Sequence, residues 1–182
     1  MKPNSHIFVC MSKRALRKYV CELNREALAE QLIDLYERFP EVKTYYDFVF
    51  NPREEELLRE AKARISKEYA PRGKRRPKAR RSVAQKYIRQ FRVLGMDPPL
   101  LADLMAFNLE TARRFERTRR CPDAFYQSML NSCREWVHYM VLNGLWKEGE
   151  SQFVTFVDAV REASWPNLDR FEALAEQLET HP

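Results

Sequence analysis

The chain has 182 residues, enough for one domain with its own core and no need of disulfide or metal staples. Hydrophobic residues make up 45% of it, including 11 Phe, 8 Tyr and 3 Trp, which excludes a disordered tail as the whole molecule. Its formal charge is +6, and no apolar run approaches the ~20 residues that span a bilayer.

Residues 1–10 read as an upstream extension, because Met11-Ser12-Lys13-Arg14 has the form of a second start. The stretch 6–10 is too short for a signal-peptide core and lacks a small-residue cleavage site. Ser12 is placed to cap a first helix with Leu16, Val20 and Leu23 on one face. Asn24 caps a second, whose Leu28, Leu32, Leu35, Tyr36 and Phe39 recur at three and four. Pro40 opens a shorter aromatic-rich piece holding Val42, Tyr45, Tyr46, Phe48, Val49 and Phe50. Asn51-Pro52 reads as the cap and first-turn proline of a long helix to about Tyr69, with Glu54, Glu55 and Glu56 favoured by its dipole. Between 71 and 81, seven of eleven residues are cationic, so this segment is predicted to be a solvated loop. Ser82 then caps a helix with Val83, Tyr87, Ile88, Phe91 and Leu94 inward, stopped by Gly95.

Asp97-Pro98 opens the next helix, striped by Leu101, Leu104, Met105, Asn108, Leu109, Ala112 and Phe115. It ends among Arg113, Arg114, Arg117, Arg119 and Arg120. Cys121-Pro122-Asp123 starts a long helix through Phe125, Met129, Cys133, Trp136, Val137 and Met140, closed by Gly144. Ser151 and Pro166 are read as the starts of the last two helices. Trp146 and Trp165 fall at junctions, where a tryptophan usually plugs the core.

These patterns predict an all-α fold of about eight helices, packed as antiparallel hairpins in a bundle or short solenoid-like stack. Only 4 Gly are present, and the one hairpin-type dipeptide, Asn143-Gly144, suits a helix end better. Residues 11–182 are expected to form a single helical domain, with the basic loop at 71–81 dividing an N-terminal group of helices from a C-terminal one. No internal period of 20–50 residues supports a regular repeat array.

Charge is segregated along the chain. Residues 71–120 carry 15 Lys and Arg against 4 Asp and Glu, whereas residues 121–182 carry 4 against 10. Contact with phosphate is one consequence, and the candidate residues are Arg72, Lys74, Arg75, Arg76, Lys78, Arg80 and Arg81 in the loop, then Lys86 and Arg89 on the following helix. Arg113, Arg117 and Arg120, spaced at four and three, are expected to extend that patch from a second helix. The competing expectation is a protein–protein adaptor or self-associating module, in which basic and acidic surfaces meet. A charge run can also be a plain solvated face, and arginines at a helix end complement its dipole.

Catalytic and metal chemistry finds little support. The four glycines stand singly, so neither a P-loop nor a dinucleotide fingerprint exists. His6, His138 and His181 are the only histidines, and the one Glu135-x-x-His138 motif lacks the second copy that a di-iron bundle needs. Cys121 is the best thiol, since it follows Arg119-Arg120 at a helix start, but no His is near it. The other cysteines, Cys10, Cys21 and Cys133, show no Cys-x-x-Cys spacing and are read as reduced cytoplasmic thiols. No catalytic residue, metal or cofactor is expected.

Three stretches carry a family resemblance. Met11-Ser12-Lys13-Arg14 with Leu16 and Lys18-Tyr19, Tyr45-Tyr46-Asp47-Phe48-Val49-Phe50-Asn51-Pro52, and Lys78-Ala79-Arg80-Arg81-Ser82-Val83-Ala84-Gln85-Lys86 resemble motifs of small bacterial proteins classed only as a domain of unknown function. The resemblance covers most of residues 11–145, and it implies a bacterial cytoplasmic setting with no assigned activity. Together with the charge pattern it leads to a helical binding protein that contacts RNA or DNA backbone through its basic centre, with no membrane role.

Overall fold

The computed structural model describes residues 12–71 and 76–180, and all regular structure among them is helical. Nine helices follow in chain order: α1 Lys13–Glu22, α2 Arg25–Arg38, α3 Pro40–Phe50, α4 Glu54–Tyr69, α5 Arg81–Leu94, α6 Pro98–Glu116, α7 Asp123–Leu142, α8 Trp146–Glu162 and α9 Leu168–Thr180. None is long and apolar enough to cross a membrane. The extension expected at 1–10 lies outside the described residues. The chain divides into two compact units between Pro52 and Arg53.

The first unit holds α1–α3. Ser12 Oγ accepts the Ala15 amide at 3.2 Å and Asn24 Oδ1 the Ala27 amide at 2.7 Å, so both expected caps form. The α2–α3 hairpin is fastened where Tyr36 donates its hydroxyl to Asp47 at 3.0 Å and Lys43 sits 5.8 Å over the Tyr36 ring. Tyr19 of α1 accepts from Gln31 of α2 at 2.5 Å. Burial is slight here, and Phe48 is the one buried apolar side chain among the described residues of this unit.

The second unit holds α4–α9 and 30 of the 31 buried apolar side chains described. The path alternates. Glu54 accepts from the Asp97 amide, Lys62 meets Asp103, and Tyr69 meets Asn108, so α4 and α6 run parallel, with α5 returning between them. Beyond α6, the Tyr126–Glu116 and Phe115–Phe125 contacts show α7 doubling back, and Gly149 of α8 faces Met140 of α7 in the same way. This is the expected stack of antiparallel hairpins. Its hub is α6, with Leu101, Ala102, Leu104, Met105, Ala106, Asn108, Leu109 and Ala112 all buried. A stripe that wide lets one helix serve neighbours on several sides.

Some element starts differ from the sequence reading. Asn51 ends α3, since a residue before proline is held out of helical φ/ψ, and the cap position of α4 falls to Arg53 with no side-chain capping bond. The helix therefore begins two residues later, at Glu54. Ser82 lies inside α5, whose cap position is Arg80 with no side-chain capping bond. Helix α8 begins at Trp146, five residues ahead of Ser151, because Gly144 at φ +69 turns the chain directly and Trp146 packs edge-on against Phe153 at 5.5 Å. The division between groups of helices also falls at Pro52 and not at the basic loop, since α4 buries Leu58, Ala61, Ile65 and Tyr69 within the second unit.

Candidate functional site

The described part of the basic loop is fastened at its stem. Lys78 and Ala79 donate their amides to the Glu68 carbonyl at 3.2 and 3.3 Å, with Ala79 at φ +49. Arg80 forks onto the Glu68 carboxylate, Nε at 2.8 Å and Nη2 at 3.1 Å, and donates its amide to the same group at 3.3 Å. Those hydrogen bonds hold the Glu68 carboxyl below its ordinary range. One residue on, Arg81 donates from Nε to Ser132 at 2.8 Å, and its Nη2 lies 2.7 Å from Glu135, an ion-pair contact and not an aligned hydrogen bond. The loop is thus pinned to α4 by Arg80 and to α7 by Arg81. Both guanidinium groups already have carboxylate partners.

Beside this stem lies a groove of about 590 Å³. Its lining includes Tyr69 and Pro71 at the end of α4, Pro77 in the loop, and Phe107, Thr111, Arg114, Phe115 and Arg119 along and just past α6. Arg119 lies over the Phe115 ring at 5.2 Å, and Phe115 is edge-on to Tyr69 at 5.7 Å. Lys62 stands 5.2 Å from the Phe107 ring while paired to Asp103 at 2.6 Å. Arg114 contacts Glu110 at 3.0 Å, yet its side chain stays 74% exposed. A concave site in which arginines share walls with aromatic rings suits a ligand with both negative charge and flat apolar faces.

The described candidate cations are distributed over the loop, α5 and the end of α6. Arg72, Lys74 and Arg75 lie outside the described residues. Arg76 and Lys78 are exposed on the loop beside the groove residue Pro77. Lys86 and Arg89 are exposed on α5 and do not line the groove, Arg89 turning back to the Gln85 carbonyl at 3.2 Å. Arg113 is 19% exposed and paired to Glu110 at 2.7 Å, which raises its own affinity for the proton and lowers that of Glu110. With Arg117 it lines a separate cavity of about 460 Å³, whose walls also carry Glu116 and Glu162. Arg120 is exposed beyond the helix.

The expected alignment of Arg113, Arg117 and Arg120 on one helical face does not hold. Helix α6 stops at Glu116 and Arg117 is its terminal cap, so a 3.6-residue period no longer applies past that point. The turn instead sends Arg119 to the groove, together with Arg114 one position off the assumed stripe. Sequence reasoning missed both residues. The signal available was Cys121-Pro122, which places the helix end several residues before the proline.

The thiol expectation is corrected as well. Cys121 precedes the first helical residue of α7 by two positions, and burial, helped by Glu116, raises its pKa against the pull of Arg119. Cys133 is fully buried, and burial pushes its thiol to about 12. Glu135 is committed to Arg81 and to Gln85 at 2.7 Å, while His138 is exposed. No group of three or more His, Cys, Asp or Glu that could hold a metal occurs among the described residues. Trp165 fills the core as expected, ringed by Phe125, Tyr126, Phe156 and Phe171.

A family model described as a family of unknown function (DUF6155) matches residues 11–179. No curated protein and no solved structure matches the chain.

Proposed function

The chain belongs to this family of unknown function, and from that premise we propose that it binds nucleic acid through its basic centre, by backbone contacts and without strong sequence preference. One observation carries the reading. The loop residues Pro71 and Pro77 and the arginines Arg114 and Arg119 line a single groove that also holds the half-buried rings of Phe107 and Phe115. Guanidinium groups take phosphate oxygens through a planar fork, and ring faces accept stacked bases of any identity. Arg76 and Lys78 add exposed charge next to the groove, while Arg80 and Arg81 keep the loop in place. The setting this fits is a bacterial cytoplasm.

The test is fluorescence anisotropy of nuclease-treated protein with labelled RNA, single-stranded DNA and duplex DNA across a salt series. A companion variant carries Arg76→Glu, Lys78→Glu, Arg119→Glu and Arg120→Glu, which spares the ion pairs of Arg80 and Arg81. Wild-type protein should bind at submicromolar levels in low salt, with a log–log salt slope of about −0.7 to −0.9 per phosphate neutralised, and the variant should lose most of that affinity. Equal binding by the variant, or none by wild type at low salt, would overturn the reading.

A further inference from the structure

The first unit leaves its apolar stripes open. On α2, Leu28, Leu32 and Leu35 follow one another at spacings of four and three; they are 41%, 42% and 42% exposed, and Phe39 at the helix's C-cap is 47% exposed. That spacing is the seam by which helices pair side by side. On α1, Leu16 and Tyr19 are 49% and 42% exposed. A 4-3 seam this open, on helices that bury almost nothing of their own, has the form of half an interface.

We propose that α1 and α2 are the contact between two copies of this chain, paired crosswise so that α1 of each copy lies on α2 of the other. Area and charge argue for it. The six side chains expose on the order of 600 Å² per copy, against the roughly 800 Å² per partner of a standard interface, about 65% apolar in homodimers. The charge on the two helices is complementary. Helix α1 carries Lys13, Arg14, Arg17 and Lys18 against Glu22 alone, and α2 carries Glu26, Glu30, Asp34 and Glu37 against Arg25 and Arg38. Local pairs take up little of this: Lys18 meets Glu22 at 4.0 Å and Arg38 meets Asp34 at 3.0 Å. Lys13, Arg14, Arg17, Glu26, Glu30 and Glu37 make no ion pair among the described residues. Pairing α2 with α2 would set acid against acid, whereas crosswise pairing satisfies both helices at once. A two-fold axis repeats that contact and closes it, so the assembly stops at a dimer. This interface does not depend on the groove or on nucleic acid.

The experiment is sedimentation velocity of the full chain at about 5 to 200 μM, a range that populates any dimer with micromolar affinity. Wild type should sediment as a dimer. Leu28→Glu with Leu35→Glu should give a monomer with unchanged helical circular dichroism, while Val154→Glu, at an exposed site on α8, should remain dimeric. Two charge-reversed proteins add a control that does not rest on loss alone. Arg14→Glu with Arg17→Glu, and Glu30→Arg with Glu37→Arg, should each weaken the dimer at least tenfold, and mixing the two should restore a heterodimer. A wild-type monomer across the range overturns the proposal, as does a dimer that survives the seam substitutions. Failure of the two reversed proteins to pair on mixing overturns the crosswise arrangement.

Discussion

Glu68 closes the stem of the basic loop through both its backbone and its side chain. Its carbonyl accepts two loop amides and its carboxylate holds the Arg80 fork, so one residue closes the path between α4 and α5. The consequence for pH has a definite sign. Arg80 lowers the folded carboxyl below its ordinary 4.5, so the unfolded chain binds the proton first as pH falls. The stability contributed is complete above that ordinary value and is lost as pH drops through the folded pKa. Chemical denaturation of Glu68→Gln and wild type, followed from neutral pH down through the carboxylate range, should therefore show the variant weaker at neutral pH and declining less steeply on acidification. Parallel declines would show that the fork adds nothing. Arg80 and Arg81 were legible in the sequence as cations, but their partners Glu68 and Glu135 stand 12 and 54 residues away, and only folding brings them together.

At the scale of elements, aromatic side chains decide how the last three helices join. Trp165 sits between α8 and α9, 3% exposed, with ring centroids 5.3 Å from Tyr126, 5.9 Å from Phe171 and 6.2 Å from Phe125 and Phe156. One ring thus bridges α7, α8 and α9. Truncating it leaves a cavity bounded by stiff neighbours that cannot collapse inward. Trp165→Ala should cost about 3–5 kcal/mol in denaturant unfolding, and Trp165→Phe distinctly less, because most of the volume is kept. A loss under 1 kcal/mol would mean that the junction is held by other contacts. Gly149 records the same closeness of packing between α7 and α8. A Cβ there would come within 3 Å of the Met140 thioether, so the missing side chain at this position inside α8 is what lets the two helices approach.

At the scale of the whole molecule, the distribution of burial is lopsided. The six helices from Arg53 onward share nearly all of the buried apolar surface described, while α1–α3 present ten large apolar side chains at 41–81% exposure. A segment with so few buried contacts opens at low free energy. Amide hydrogen exchange of dilute protein should be fast through α1–α3 and slow through α6 and α7. Protection in α1 and α2 should rise with protein concentration, since mass action stabilises whichever state forms the dimer. Exchange that is equally slow in both units at every concentration would contradict this division.

The sequence by itself determined which segments are helical, where Ser12, Asn24 and Gly95 begin or end them, and which stripe of α5, α6 and α7 turns inward, because caps and 3.6-residue periods are local. It also revealed the clustered charge, which needs only counting. Tertiary structure alone decided what that charge can do. Pairing with Glu68, Glu135 and Glu110 removes Arg80, Arg81 and Arg113 from the free cations, and the end of α6 at Glu116 sends Arg119 to the aromatic groove beside Arg114. It likewise decided that α4 packs with the helices beyond the loop, leaving the stripes of α1 and α2 open. A side chain's partner across space is set by how helices pack, and a periodicity along the chain carries no record of that choice.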